Sequence, residues 1–142
     1  MVSYLEHVNI TVTDVDEAIR FFQTAMPDWK VRADVSGGSR SCQRWVHLGT
    51  DVSYIAIEDR GVTEKGPHKP YVHSGVNHLG FVVDDLDAVS KRLTEGGYSE
   101  GLKVPDNPNR KRIYFFDNEG NEYEFVEYLK PEITSRNDYS DK

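Results

Sequence analysis

The chain carries one segment twice. Aligned without gaps, LEHVNITVTDVDEAIRFF from Leu5 and VNHLGFVVDDLDAVSKRL from Val76 share a histidine (His7, His78), a valine (Val12, Val83) and two aspartates (Asp14 and Asp16, Asp85 and Asp87). An internal repeat of this kind calls for two modules built alike. Histidine is uncommon here, with five in 142 residues. Its retention at matching places in both copies points to a shared use.

Each copy switches period partway along. In the first, Val8, Ile10 and Val12 alternate with His7, Asn9 and Thr11, the pattern of a half-buried strand over Leu5 to Val12. Asp14 followed by Glu17 has the form of a capping box, and Val15, Ala18, Ile19 and Phe22 form an apolar stripe at helical spacing that stops at Pro27 and Asp28. Trp29 to Val35, Cys42 to Leu48 and Val52 to Glu58 read as strands, separated by turns at Gly37-Gly38 and at Gly49 to Asp51. The second copy repeats the order. A strand over Val76 to Val83 leads to a helix from about Asp85 to Glu95, which breaks at Gly96-Gly97. A weak strand near Tyr98 to Val104 precedes a hairpin of Lys111 to Phe116 with Asn121 to Tyr128, turned at Gly120. Each half is thus βαβββ. The modules are placed at 1–58 and 75–129, with a Pro/Gly-containing linker at 59–74 and a polar tail at 130–142.

Composition narrows the function. A net charge of −7 disfavours a nucleic-acid partner, which needs a basic face. The one basic run, Arg110 to Arg112, is short, and its Arg110 and Lys111 read as a solvated strand edge. No apolar run approaches the length of a membrane span, and the N-terminus has no leader-like pattern, so a cytoplasmic protein without membrane contact is expected. Cys42 is the single cysteine, and no internal disulfide can form.

Strand parity gathers the polar candidates. Side chains on a strand alternate faces, so if Val8, Ile10 and Val12 lie under the helix, then His7, Asn9 and Thr11 face away from it. The same argument turns His78 away from Leu79 and Phe81, Glu122 and Glu124 away from Tyr123 and Phe125, and Arg112, Tyr114 and Phe116 away from Ile113 and Phe115. Tyr54 shares the presumed site face with Asn9.

With these features in place, the chain resembles the vicinal oxygen chelate superfamily, which includes glyoxalase I, methylmalonyl-CoA epimerase, fosfomycin thiol transferases, extradiol dioxygenases and bleomycin-resistance proteins. The resemblance rests on the twin strand-to-helix segments and on the hairpin YFFDNEGNEYEF, and it covers about residues 4 to 129. It implies an α+β glyoxalase-like fold, two tandem βαβββ modules forming a concave, partly closed mixed sheet. It also implies a divalent metal held by His7, His78 and Glu124. The fourth family position falls at about Ala56, which has no donor, and Glu58 is the nearest carboxylate of the same parity. Two histidines and one carboxylate suit Fe or Mn first, then Zn or Ni. Arg112, Tyr114, Tyr54 and Asn9 become substrate-binding candidates, while the sequence names no catalytic residue. His47, His68 and His73 lie in segments without a counterpart in this scheme.

Two functions follow from the resemblance. One is a metal-dependent lyase, thiol transferase or dioxygenase acting on a small substrate with adjacent oxygens. The other is a metal-free, bleomycin-resistance-like protein that binds a small molecule or antibiotic. Open sheet edges further point to a homodimer.

Overall fold

The computed structural model describes residues 3–37 and 42–139. The chain divides into two compact units, Met1–His68 and Lys69–Lys142. Gly38, half of the expected first hairpin turn, lies outside the described residues. Its neighbour Gly37 takes a φ of 76° and donates its N–H to Gln43 O at 2.9 Å.

The first unit is β1 (His7–Val12), α1 (Val15–Ala25), β2 (Lys30–Ser36), β3 (Arg44–Gly49) and β4 (Tyr54–Asp59). Its sheet has the order β1-β4-β3-β2, with β1 parallel to β4 and the other pairs antiparallel. The second unit repeats this with β5 (His78–Val82), α2 (Leu86–Glu95), β6 (Ser99–Glu100), β7 (Arg110–Phe116) and β8 (Glu122–Tyr128), in the order β5-β8-β7-β6. The α+β class and the tandem βαβββ modules are therefore as expected. The one difference is closure: where a partly closed mixed sheet is expected, each module has an open mixed sheet of four strands.

The repeat shows its logic at the helix starts. Asp14 and Asp85, equivalent positions, are both N-caps and accept the N–H groups of Glu17 and Ala88. Glu127 adds a second acceptor at the start of α2, taking the Leu86 N–H at 2.9 Å. The Glu17 carboxylate pairs with Arg20 at 2.7 Å. On α1 the buried stripe is Val15, Ala18, Phe21, Phe22 and Ala25, so Phe21 takes the inward place expected of Ile19.

In the second unit Leu86, Val89 and Leu93 of α2 and Phe115, Tyr123 and Phe125 of the sheet make the core. Phe81 meets Tyr123 and Phe125 at ring distances of 6.3 and 5.9 Å. This fixes the opposite parity for His78, Glu122 and Glu124.

The second strand of the second module, β6, is shorter than the expected Tyr98 to Val104. Tyr98 is buried and gives its N–H to Leu93 O at the end of the helix, and pairing with β7 covers Ser99 and Glu100, followed by one bond from Gly101 N–H to Tyr114 O at 2.7 Å. The Arg110 to Arg112 end of β7 lies beyond β6 and meets only the loop before it, through an antiparallel bridge of Arg110 with Asn107 and the reach of Arg112 to Pro105 O at 3.4 Å, and of the three only Lys111 is exposed. Lys111 there pairs with Asp87 at 3.1 Å. The tail carries a short 3-10 turn, Ile133–Asn137, whose Arg136 lies 4.5 Å over the Tyr128 ring. Among the described residues, no helix is long and apolar enough to cross a membrane.

Candidate metal centre

His78 begins β5 on the face away from α2, and its imidazole Nε2 stands 3.2 Å from Glu124 Oε2 on β8. Tyr114, opposite Glu124 on β7, is buried and donates its hydroxyl to the same carboxylate. Burial first, then that hydrogen bond, push the Tyr114 phenol well above its ordinary pKa. It is a proton donor at neutral pH. The His78 and Tyr114 rings meet edge to face at 5.4 Å.

A second layer lies behind His78. Tyr71 Oη is 3.0 Å from His78 Nδ1 and donates to Glu122 Oε2 at 2.5 Å. Burial and the contact with Glu122 push the Tyr71 phenol up to about 12. Glu122 is buried, and its other oxygen takes the Leu102 N–H at 3.0 Å. Gly101 permits this approach, since a Cβ there would come within 2.5 Å of Glu122 Oε1. Arg112 lies two residues from Tyr114 on the same face, and its positive charge acts on that phenol while its guanidinium reaches Pro105 O at 3.4 Å.

The donor set can be tested for fit to an ion. Two donors held cis at first-row bond lengths of about 2.0–2.2 Å stand about 3 Å apart. The 3.2 Å between His78 Nε2 and Glu124 Oε2 matches that spacing. The second nitrogen of His78 is already engaged by Tyr71, as outer-shell support of a ligand requires. His78 and Glu124 therefore fit as a pair of ligands. Neither unit alone, among the described residues, gathers three His, Cys, Asp or Glu groups around one point.

The first unit holds the other candidates on the face opposite α1. His7 is exposed, with Nδ1 3.0 Å from Glu6 Oε2, and its ring stacks on Tyr54 at 4.8 Å. Tyr54 also receives Arg32 over its ring at 4.4 Å. Asn9 donates to Glu58 Oε1 at 2.8 Å, and Arg60 donates to the other oxygen at 2.7 Å. The Asn9 bond first, with Arg60 in support, holds the Glu58 carboxyl below its usual range. Ala56 is buried and stands in register with Asn9 on one side and His47 on the other.

His47 is the residue that sequence reasoning set aside. Its ring lies 4.5 Å from Tyr54 and 4.8 Å from Trp45, tilted against both, so Trp45, His47, Tyr54 and His7 form a continuous run of ring contacts in which only Tyr54 and His7 are stacked. The signal was available, because Val46 and Leu48 are buried and parity turns Trp45 and His47 to the site face. Tyr71 offered no such signal, lying in an aperiodic segment and reaching its partners through space.

A cavity of about 320 Å³ in the second unit lies elsewhere, lined by Val82, Asp84, Glu127, Tyr128, Lys130 and Arg136 among others, and neither His78 nor Glu124 touches it. Its charges are of both signs, and the chemistry described above is not in it.

The model of the Glyoxalase/Bleomycin resistance protein/Dioxygenase superfamily matches residues 4–125, a span that includes His7, His78 and Glu124. No curated protein matches the chain. Among solved structures, the fosfomycin resistance protein FosX from Mesorhizobium loti is similar at 22% identity and a TM-score of 0.67, covering 96% of this chain and 98% of its own. FosX from Listeria monocytogenes, solved with Mn(II) and sulfate, is 18% identical with a TM-score of 0.69 over 97% and 100% of the two chains. A glyoxalase family protein from Bacillus cereus reaches 0.73 at 22% identity, over 92% of this chain and 97% of that one. At these identities the likeness is one of fold.

Proposed function

The chain belongs to the Glyoxalase/Bleomycin resistance protein/Dioxygenase superfamily, and from that membership we propose that it is a divalent-metal-dependent enzyme acting on a small substrate through two adjacent oxygens. His7, His78 and Glu124 are the proposed ligands, with Fe or Mn the preferred ions and Zn or Ni the next. The observation that carries the proposal is the His78–Glu124 pair, set 3.2 Å apart with Tyr114 and Tyr71 behind it. When bound, such an ion supplies a Lewis acid that takes neighbouring substrate oxygens and stabilises the negative charge that develops there.

The protein's own groups then divide the work. Tyr114 keeps its proton at neutral pH and fixes Glu124. Arg112 offers a charged donor for a carboxylate, phosphonate or enolate oxygen. Tyr54 and Asn9 are proposed substrate contacts from the first module, and Ala56 leaves the fourth family position without a donor. Because His7 belongs to one unit and His78 with Glu124 to the other, the set is completed either within one chain or across a homodimer. Open edges at β1 and β5 support the dimer.

The test is spectroscopic. Protein loaded with Co(II) is titrated with an α-hydroxy acid, a hydroxamate and a catechol while the visible ligand-field bands are followed. A shift at millimolar ligand or below is expected, and it should weaken in Arg112→Ala. Bands that ignore all three ligands would exclude an open chelating site.

One observation favours a second reading. The run of ring contacts through Trp45, His47, Tyr54 and His7 offers an aromatic surface that needs no ion to hold a planar ligand. A metal-free binding protein of the bleomycin-resistance kind would use it so, and would bind its ligand equally well in chelator.

A further inference from the structure

Tyr71 has a backbone φ of 63°, a left-handed conformation that a bulky residue rarely adopts. Its N–H is tied to Asn77 Oδ1 at 2.6 Å, and the result is a phenol placed between His78 and Glu122. A phenol has one proton to give. Glu122 is 4% exposed, and its Oε1 already accepts from the Leu102 N–H. The 2.5 Å contact from Tyr71 Oη to Glu122 Oε2 has the length of an O–H donating to a carboxylate. The 3.0 Å contact to His78 Nδ1 must then run the other way, with the ring N–H donating to the phenol oxygen.

We infer that Tyr71, anchored on Glu122, is a positioning residue for His78, holding the neutral imidazole as its Nδ1–H tautomer so that the Nε2 lone pair faces Glu124. Two acceptor atoms then stand 3.2 Å apart with nothing to bond them to each other, an arrangement that calls for a cation between them. Were the phenol absent, the ring would take the other tautomer. Nε2–H would donate to Glu124, and the gap would close on itself. Tyr71 thus keeps the pair open. Its usefulness to a metal rests on the proposed function, whereas the tautomer itself does not.

The two claims can be tested apart in chelator-treated protein labelled with ¹⁵N-histidine, at a pH where the ring is neutral. Wild-type His78 should show a protonated Nδ1 and a bare Nε2. In Tyr71→Phe the proton should move to Nε2, and Mn(II) affinity, measured by calorimetry, should fall about 10- to 100-fold, the usual cost of losing a second-shell partner. Glu122→Ala should shift the tautomer the same way, since it frees the Tyr71 hydroxyl to donate to Nδ1. A wild-type ring already protonated on Nε2, or a tautomer unchanged in both variants, would overturn the positioning role. A tautomer that shifts as stated in a protein that binds no Mn(II), Fe(II), Zn(II) or Ni(II) would instead sustain that role and overturn the metal reading.

Discussion

His78 and Glu124 meet diagonally across two parallel strands: in register His78 stands beside Glu122, and Glu124 stands beside Gly80. The diagonal reach is open because Gly80 puts no side chain between them. A Cβ at Gly80 would lie 3.7 Å from Glu124 Oε2, an ordinary contact. Gly80→Ala should therefore be tolerated with metal binding close to wild type, while Gly80→Leu should displace the carboxylate and weaken Mn(II) binding at least tenfold. Calorimetric titration of both variants checks this, and equal affinity in Gly80→Leu would show that the space beside Glu124 is not used.

Gly101 governs the layer behind. A Cβ there would approach Glu122 Oε1 to 2.5 Å and Tyr114 Cβ to 3.1 Å. Gly101→Ala is expected to lose roughly 1–3 kcal/mol of stability, as overpacking of a filled site does. Chemical denaturation measures it, and an unchanged midpoint would mean that the β6–β7 connection yields freely.

His47 sets a pH dependence for the first module. Burial, with Arg32 nearby, lowers its folded-state pKa below 6.5. The unfolded chain then takes up the proton first as pH falls, so it binds more protons than the native state in that window. Stability should accordingly be full above about pH 6.5 and decline as pH drops through the folded-state value. His47→Gln should flatten the decline when denaturation midpoints of chelator-treated protein are compared between neutral and mildly acidic pH. Equal slopes in both proteins would remove His47 as the cause.

The proposed homodimer is checked by mass in solution at micromolar concentration, where twice the chain mass is expected. Mixing His7→Ala with Glu124→Ala chains then separates the two ways of completing the ligand set. Metal binding regained on mixing places His7 and Glu124 of one site on different chains. No recovery places them on the same chain.

Much of this was legible in the residues, and what was not has physical reasons. Period-two alternation placed Val8, Val12, Tyr123 and Phe125 toward the helices, and so turned His7, His78, Glu122 and Glu124 to the other face. The same rule would have brought in His47, had it been applied to Trp45 through Leu48. The inward place of Phe21 depends on how α1 settles on its sheet, and the spacing of apolar residues leaves that rotation open between Ile19 and Phe21. The shortness of β6 arises from a choice between partners, since the Tyr98 N–H goes to the helix end and the Leu102 N–H to a side chain. Tyr71 was out of reach, because an uncommon backbone angle and two through-space hydrogen bonds leave no periodic trace.

The central claim is that His7, His78 and Glu124 hold one divalent ion. Its most direct test is elemental analysis of protein purified without an affinity-tag metal or chelator, alongside His78→Ala prepared identically. Near one equivalent of Fe, Mn, Zn or Ni per site is expected in the wild type, with thermal stabilisation on metal addition, and both should be lost in His78→Ala because only the native ligand set binds the ion. Wild-type protein without metal and without stabilisation by any of the four ions, or a His78→Ala variant that keeps the full metal content, would contradict the account.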